Sequence, residues 1–452
     1  MIDTQAIRNK ILDLAMRGKL TEQRSDEEVD FYEVITKDTP YTLPRNWKWV
    51  KIGSIITKDV GGGTPSKSVA EYWNGGTIPW MSVKDFSSAR KGVLEDTVDH
   101  ITQVGLENSS SNLVDTDAII ICMRMALGKI VKINQPMAIN QDLRAIWLNS
   151  CVEKDFFVFY YSTLKVEGHG MTVAGINKKQ LMEYMMPLPP LAEQQRIVDK
   201  IDQAFSILDT IDALQAKYAD NLTALKAKLI DAAIQGKLTE QLPEDGTAEE
   251  LYRQIRAEKQ ALIKAGKIKK EKPLPEITVD EIPFEIPENW KWCRLLDLCK
   301  SVSDGDHQAP PQVKEGIPFL VISNVSKGFI DLTDVRHVPF DYYNSLSYER
   351  TAEQGDVLFT VTGSFGIPVI VDTGEKFCFQ RHMALLKPLI DTAYLHHALQ
   401  SGYVQKKCDD IAIGTAQRTV GIKQLRIIPI PLPPLEEQRR ISERLERLFS
   451  TL

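Results

Sequence analysis

The segment Gly61-Gly-Gly-Thr-Pro-Ser-Lys-Ser68 comes closest in this sequence to a chemically active motif. It nearly matches the phosphate-binding loop G-x-x-x-x-G-K-[ST], but Ser66 replaces the second glycine and Pro65 interrupts the start of a following helix. We therefore expect no nucleotide hydrolysis here. A flexible polar loop that carries Lys67 suits contact with a nucleic-acid backbone, and the alternative is a plain surface loop.

Other catalytic and metal-binding patterns are missing from the sequence. The Asn/Asp-Pro-Pro-aromatic motif of adenine methyltransferases does not occur, and neither do G-x-S-x-G, His-Glu-x-x-His or an EF-hand pattern. The six cysteines contain no Cys-x-x-Cys pair, whereas a zinc site usually needs clustered ligands. We expect reduced, buried thiols, no metal or cofactor bound by this chain, and no catalysis by the chain alone.

The composition is that of a globular protein, with 43% hydrophobic and 26% charged residues among 452. This length suggests about three domains. The formal net charge of −6 argues mildly against a simple nucleic-acid binder, and neither region 44–186 nor region 287–430 is strongly basic. No run approaches the ~18 consecutive apolar residues of a membrane span. The charged N-terminus is no signal peptide, so we expect a cytoplasmic protein.

Three internal repeats reveal how the chain is organised. The paired segments are 43–49 with 286–292, 187–197 with 431–441, and 18–23 with 236–241. The third pair has a shorter offset than the other two, so the N-terminal segment matches the end of the central region and the C-terminal segment matches its beginning. Closing the chain head to tail would give two near-equal halves, which is the pattern of a circularly permuted repeat with a pseudo-twofold axis.

A long amphipathic helix is predicted within residues 187–242. Pro189-Pro190 ends an extended run, Glu193 places negative charge in the first turn, and Gly236 marks the end of the helix. Apolar residues recur every third or fourth position in between, and a helix of about 45 residues would span about 65 Å. The stripe predicts a core seam, with the N- and C-terminal helices as its partners.

Residues 251–272 carry eight basic and two acidic side chains, and helix propensity is high as far as Ala265. A Pro-rich linker follows. One interpretation is a solvated helix, and the other is a helix that follows DNA phosphates or docks a subunit. The two repeated regions have short β-rich runs, and their interiors diverge although their flanks repeat closely.

These features together resemble the specificity subunit of a type I restriction–modification enzyme. The resemblance rests on two divergent domains, each closed by Pro-Leu-Pro-Pro-Leu-x-Glu-Gln-x-Arg-Ile, on long helices and on permuted termini. The basic Arg-x-Glu-Lys at 256–259, Gly62-Gly-Thr-Pro65 and Asp304-Gly-Asp-His307 also fit. One departure is the C-terminal helix from Leu435, which has 18 residues and leaves 209–223 of the central helix without a counterpart.

The resemblance implies an α+β fold, with two mixed α/β target-recognition domains related by pseudo-twofold symmetry and separated by long antiparallel coiled-coil helices. It implies a non-catalytic subunit that recognises double-stranded DNA, each domain reading one half of a bipartite site. The helices would set the spacing of the halves and dock two methyltransferase subunits, which bind S-adenosylmethionine and methylate adenine. Restriction subunits would complete the complex. The alternative function is a coiled-coil scaffold with two protein-binding domains.

The repeats and the resemblance together predict the domain boundaries. We expect an N-terminal helix that completes the distal conserved region, a first recognition domain, a central conserved helix, a basic helix with its linker, a second recognition domain and a C-terminal conserved helix. In that order the ranges are 1–24, 44–186, 187–242, 243–286, 287–430 and 431–452.

Polar residues in the loops of the two domains, most of them at aligned positions, are the candidates for reading DNA, because Lys, Arg, Asn and Gln hydrogen-bond to base edges. In the first domain they are Lys67, Lys84, Asp85, Arg124, Asn140 and Gln141. In the second domain they are His307, Ser323, Asn324, Ser364, Gln380 and Arg381. The alternative for each is a surface or turn-stabilising residue. We expect the aromatic residues at the domain entries to anchor each domain to its helix; they are Trp47, Trp49, Trp290 and Trp292.

Overall fold

Each copy of the sequence repeat folds with the helical segments that flank it. A computed structural model describes residues 1–168, 174–305, 310–415 and 417–452. It divides into two units, Met1–Ala216 and Lys217–Leu452. Both units are mixed α/β, and a long helix is present, as the sequence predicted.

Unit 1 combines short strands with helices that are spread along its sequence. Its helices are α1 (Thr4–Met16), α2 (Ile52–Ile55), α3 (Gln103–Glu107), α4 (Lys154–Thr163), α5 (Lys178–Glu183) and the start of α6 (Leu191–Ile234). Its strands are β1 (Lys48–Lys51), β2 (Ile56–Gly61), β3 (Ile78–Met81), β4 (Val93–Leu94), β5 (Asp99–Ile101), β6 (Asn112–Val114), β7 (Ile119–Cys122), β8 (Ile130–Ile133), β9 (Met137–Ile139), β10 (Leu143–Leu148) and β11 (Met185–Leu188).

Unit 2 contains the remainder of α6 and repeats much of this order. Its other helices are α7 (Ala248–Lys264), α8 (Phe340–Asn344), α9 (Thr392–Gln400), α10 (Gly402–Ile411), α11 (Ile422–Arg426) and α12 (Leu435–Thr451). Its strands are β12 (Lys291–Arg294), β13 (Cys299–Asp304), β14 (Ile317–Leu320), β15 (Arg336–Val338), β16 (Val357–Thr360), β17 (Pro368–Ile370), β18 (Cys378–Phe379), β19 (Met383–Pro388) and β20 (Pro429–Leu432).

The sheets of the two units share one strand order, except that β4 and β6 of unit 1 have no counterpart among the described residues of unit 2. In unit 1 the larger sheet has the order β2-β10-β7-β8-β4, and in unit 2 it has the order β13-β19-β16-β17. A second sheet has the order β5-β3-β9-β6 in unit 1 and β15-β14-β18 in unit 2. The strand pairs β3/β9 and β14/β18 within the second sheets are parallel. The two-stranded antiparallel sheets β1/β11 and β12/β20 close each domain where its chain enters and leaves.

Strand β7, in the middle of the larger sheet of unit 1, is apolar at every position because both of its faces are buried. In β7, Ile119 and Ile121 pack into one core cluster, whereas Ile120 and Cys122 pack into another. Successive side chains on a strand point to opposite faces, so a strand between two cores needs a continuous apolar run. The apolar run Ala-Ile-Ile-Ile-Cys therefore places β7 in the middle of unit 1, with a core cluster on each face.

Helix α6 is covered along only part of its length. It has 44 residues, which corresponds to about 66 Å, whereas α1 has 13 residues and α12 has 17. Ile201 and Ile230, near its two ends, are buried. Leu214 and Tyr218 in the middle are 60% and 61% exposed, and Leu225 is 42% exposed. The expected core seam is therefore wrong for the middle of the helix, because α1 and α12 are too short to reach it.

A fully buried carboxylate joins three segments of unit 1. Glu193 in the first turn of α6 accepts hydrogen bonds from Thr21 Oγ1 at 3.0 Å, Gln23 Nε2 at 2.6 Å and Trp47 Nε1 at 2.9 Å. Unit 2 repeats these bonds at Glu437, with donors Thr239 at 3.1 Å, Gln241 at 2.6 Å and Trp290 at 2.8 Å. The prediction that these tryptophans anchor each domain to its helix is thus confirmed for Trp47 and Trp290.

The same segments meet through backbone geometry that only glycine allows. Gly18 and Gly236 end the helical segments that precede them with φ of +65° and +71°. A Cβ on either one would also collide with the ring of Pro44 or Pro287, respectively. The repeated Gly-Lys-Leu-Thr-Glu-Gln segment is therefore a helix end that packs against the entry of the following domain.

The hydrogen bonds to the buried Glu437, which we call the carboxylate anchor of unit 2, lead to a prediction for Trp290. Trp290→Phe removes one donor from the buried Glu437 and should lower the free energy of unfolding of unit 2 by about 1.5–3 kcal/mol. Trp292→Phe is the matched control, because its ring packs on Phe284 and Tyr403 and is not among the donors to Glu437. Urea unfolding should show the smaller loss for the control. Equal losses in the two variants would contradict the anchor.

Candidate nucleic-acid interface

The parallel strand pair of unit 1 places two predicted turns side by side. Met81 of β3 pairs with Ile139 of β9, and the Asn140 amide donates to the Met81 carbonyl at 3.0 Å. The carboxyl ends of parallel strands meet at the same edge of a sheet. The turn with Lys84 and the turn after Ile139 therefore lie at one edge.

Unit 2 repeats this arrangement with different side chains. Leu320 pairs with Phe379, and the Gln380 amide donates to the Leu320 carbonyl at 3.1 Å. The aligned candidates Ser323 and Arg381 thus follow equivalent strand ends. The alignment made from sequence alone is reproduced by backbone hydrogen bonds.

A third loop begins at a glycine in both units. A Cβ on Gly62 would collide with the carbonyl of Ile139, and a Cβ on Gly305 would collide with that of Phe379. In unit 1 this loop continues through Thr64, which donates to the Gln141 side chain, to the exposed Lys67. In unit 2 it leads to His307, which lies outside the residues that the structure describes.

A fourth loop leaves the central strand of each unit beside the same turn. The Met123 amide donates to the Asp142 carbonyl at 2.8 Å, and the exposed Arg124 forms an ion pair with the Asp142 carboxylate at 3.2 Å. In unit 2 the Val361 amide donates to the His382 carbonyl, also at 2.8 Å. The exposed Ser364 lies in that loop.

Three of the candidates have buried side chains. Asp85 is fully buried and accepts bonds from the Ser82 amide at 2.7 Å, the Ser82 hydroxyl at 2.9 Å and the Val98 amide at 2.9 Å. Asn324 accepts from the Val321 amide at 3.0 Å. Asn140 is 5% exposed and accepts from the Asp142 amide at 3.0 Å. In these three positions the geometry matches the turn-stabilising alternative.

The remaining candidates that the structure describes present polar groups at the surface. Lys84 is exposed and pairs with Asp99 at 2.8 Å, and Gln380 is partly buried with Nε2 2.6 Å from His382 Nδ1. Burial, followed by the charge of Arg381, lowers the pKa of His382 and favours the neutral ring, which can both donate and accept. The exposed candidates are Lys67, Lys84, Arg124, Gln141, Ser323, Ser364 and Arg381.

Sequence reasoning missed a fifth segment that borders the same loops. The Met125 amide donates to the Ala174 carbonyl at 3.1 Å, and the Gly363 amide donates to the Arg418 carbonyl at 2.9 Å. This segment adds Arg418 to the edge in unit 2. In unit 1 it adds Lys178, which pairs with Asp59 at 2.6 Å. Its sequence signal was present, because Lys-Gln-Leu recurs at 179–181 and 423–425 with the same offset as the proline-rich repeat.

A metal site and a membrane span are not found among the residues that the structure describes. Within the described ranges, no group of three or more His, Cys, Asp or Glu side chains is arranged to hold a metal ion. In that same part of the chain, no helix combines the length and apolar character needed to cross a membrane. The candidate site is the group of loops at one edge of each unit, which we call the loop edge. Its exposed residues are Lys67, Lys84, Arg124 and Gln141 in unit 1 and Ser323, Ser364 and Arg381 in unit 2.

Comparison with known proteins agrees with this organisation. The family model for the type I restriction modification DNA specificity domain matches residues 44–217 and 287–452. The specificity subunit of the Escherichia coli type I restriction enzyme EcoAI is 29% identical over 320 residues, which cover 59% of this chain and 53% of that protein. The EcoEI specificity subunit from the same organism is 23% identical over an alignment of 537 positions, with coverage of 98% and 88%.

A solved structure supports the fold. One chain from a study of complex assembly and conformational transition of the type I R-M system is 20% identical, with a TM-score of 0.61. The match covers 91% of this chain and 92% of that one. The chain thus spans about half of the EcoAI subunit, but most of the EcoEI subunit and of the solved chain.

The contrast between neighbouring candidates can be tested directly. Asp85→Ala leaves the Ser82 and Val98 amides without their acceptor and should lower the free energy of unfolding of unit 1 by about 2–3 kcal/mol. Lys84→Ala is the matched control at the adjacent position, where the exposed side chain should contribute less than about 0.5 kcal/mol. Urea unfolding measures both values. If Lys84→Ala were destabilising and Asp85→Ala had no effect, Asp85 would not be the turn-stabilising residue.

Proposed function

This chain belongs to the type I restriction–modification DNA specificity family, and we propose from that premise that each of its two domains reads one half of a split DNA site. The observation that carries the proposal is the repeated loop edge. The same backbone hydrogen bonds hold the turns in both units, whereas the exposed side chains differ between them. Two domains with the same backbone arrangement and different exposed side chains would then recognise two different half-sites.

The exposed side chains fit base recognition. Lys and Arg pair with guanine O6 and N7, and Gln pairs with adenine N6 and N7. Unit 1 exposes Lys84 and Gln141 where unit 2 exposes Ser323 and Arg381. Because donors and acceptors change at matched positions, the preferred bases should change as well.

The uncovered middle of α6 supports a role in docking partner subunits. An exposed apolar stripe on a charged helix is typical of a protein–protein contact. We propose that methyltransferase subunits cover the residues around Leu214, Tyr218 and Leu225, and that they bring S-adenosylmethionine to the adenines of each half-site. Restriction subunits would join that complex. The chain itself is a specificity subunit and supplies no catalytic group.

Modular recognition predicts the result of a domain exchange. Residues 52–184 lie between β1 and β11, two paired strands in which Lys51 is opposite Met185. Replacing them with the corresponding segment of a relative should change one half-site of the methylated sequence and leave the other unchanged. The reciprocal control replaces 295–428, between β12 and β20, and should change only the other half. Methylome sequencing of a host with the partner subunits gives both sequences, and a change in both halves from either exchange would contradict modularity.

The length of α6 predicts the spacing of the half-sites. The side chain of Gln215 donates to the Ile2 carbonyl just before α1, and that of Lys226 lies 5.6 Å from the Phe449 ring of α12, so Ala219 falls between the two covered ends. Four residues inserted after Ala219 add about 6 Å and should lengthen the spacer by one or two base pairs, with both half-sites unchanged.

The control for this insertion places the same four residues after Gly374, in an exposed loop with no atom near the position of a Cβ. That variant should keep the original spacer. Methylome sequencing reads the spacer in both strains. An unchanged spacer in an active α6 variant would mean that the partner subunits, rather than the helix, set the distance.

A further inference from the structure

One segment breaks the pseudo-twofold repeat. Between the repeated helix end and the repeated domain entry, the first half has 19 residues (24–42) and the second half has 44 residues (242–285). The family match also leaves out residues 218–286. The added segment contains α7 and the lysine-rich run after it, so neither the repeat nor the family model accounts for its charge.

One face of α7 is fixed to unit 2. Ala248 and Ile255 are buried in the core cluster, and Tyr252 packs against it. The Lys259 ammonium is also directed inward and donates to the Leu296 carbonyl at 2.6 Å. Burial lowers the pKa of Lys259. This lysine holds the helix in place and is not part of a free charged surface.

The cationic face of α7 points to solvent. Arg253, Arg256 and Lys264 are exposed and fall within about 80° of one another on a helix of 3.6 residues per turn. They extend over about 16 Å, which is the axial rise of about five base pairs. Among the described residues, none of the three has a carboxylate within ion-pair distance.

The charge continues beyond the helix on an anchored chain. Gly266 follows the end of α7 with φ of +68°, and Ile268 is 6% exposed and holds the run against the unit. The neighbouring Lys267, Lys270 and Lys272 are exposed and lack an acidic partner in the part of the chain that the structure covers. We name the basic strip by its six residues, Arg253, Arg256, Lys264, Lys267, Lys270 and Lys272.

The lysine-rich run leads to the loop edge of unit 2. Lys269, within the run, pairs with Glu349 at 3.3 Å. The next residue, Arg350, lies 3.6 Å from the Asp304 carboxylate, and Asp304 directly precedes Gly305, where the third loop begins. The lysine-rich run is therefore connected, through Glu349 and Arg350, to the end of the strand from which the third loop begins.

We propose that the basic strip contacts the phosphate backbone of duplex DNA beside the half-site read by unit 2. The inference rests on the proposed function, since it extends the DNA path from the loop edge. Among the described residues, none of these six cations has a carboxylate within ion-pair distance. Such cations suit a phosphate chain, and contacts of this kind add affinity without base preference. The near-neutral recognition domain would then gain its attraction for DNA from the segment beside it.

Binding of a mixed-sequence 40-base-pair duplex by the full chain tests this without knowledge of the recognised site. The variant changes Arg253, Lys264, Lys267 and Lys270 to Gln, and the binding constant is measured between 50 and 200 mM NaCl. Each lost phosphate contact should reduce the slope of log K against log[salt] by about 0.9, hence by up to about 3.6 for four contacts. Affinity at 100 mM NaCl should fall by at least about tenfold.

The matched control removes the same charge from unit 1, by changing the exposed Lys19, Lys37, Arg45 and Lys200 to Gln. It should keep most of the slope. Equal slopes in the two variants would overturn the proposal and favour docking of an acidic protein on the strip. Lack of binding by the unmodified chain at 100 μM would overturn it too, because non-specific affinities lie at about 10⁻⁴–10⁻⁶ M.

Methylome sequencing separates this proposal from the function on which it rests. The strip variant should methylate the same bipartite sequence as the unmodified chain, at fewer sites per genome. An unchanged slope together with an intact sequence preference would contradict only the proposed contact between the basic strip and DNA. The lack of any bipartite sequence in the unmodified strain would instead contradict the proposed function.

Discussion

The arrangement of each unit depends on one buried carboxylate. Glu193 and Glu437 have no exposed surface, and an ionised carboxylate out of water is costly unless donors surround it. The donors come from a helix end and a domain entry that are distant in sequence, so folding must bring three segments together before the charge is satisfied. Partial assembly would leave an uncompensated charge. This requirement explains why the scaffold repeats so closely while the loops diverge.

The surrounding contacts show how much variation the scaffold accepts. Gln194 and Gln438 follow the two carboxylates, and each donates to a proline carbonyl, at 2.9 and 2.8 Å. Farther from the anchor the equivalents differ: Phe159 meets Phe205 in unit 1, whereas His397 meets Phe449 in unit 2. Burial lowers the pKa of His397, so its ring packs as a neutral group. Apolar contact is preserved there, but residue identity is not.

The sequence predicted the elements better than the individual site residues. Repeats and helical spacing identified α6 and the two domains, because those patterns record burial directly. Polarity at aligned positions did not separate the buried Asp85 from the exposed Lys84, since a turn after a strand needs an internal acceptor as often as it offers an external one. The same limit applied to Lys259 of α7. Its charge suggested an exposed side chain, but its ammonium is directed inward and donates to the Leu296 carbonyl. The segment that adds Arg418 was missed because its loop joins the site only through tertiary bonds.

The uncovered stretch of α6 also bears on the abundance of this protein in a cell. A helix that exposes Leu214, Tyr218 and Leu225 without a partner offers the kind of surface that chaperones retain and proteases degrade. If partner subunits cover this stretch as proposed, copies that outnumber their partners would be removed, while assembled copies would be protected. The lifetime of the polypeptide would then follow the supply of its partner, and stoichiometry would be enforced after translation instead of by matched synthesis.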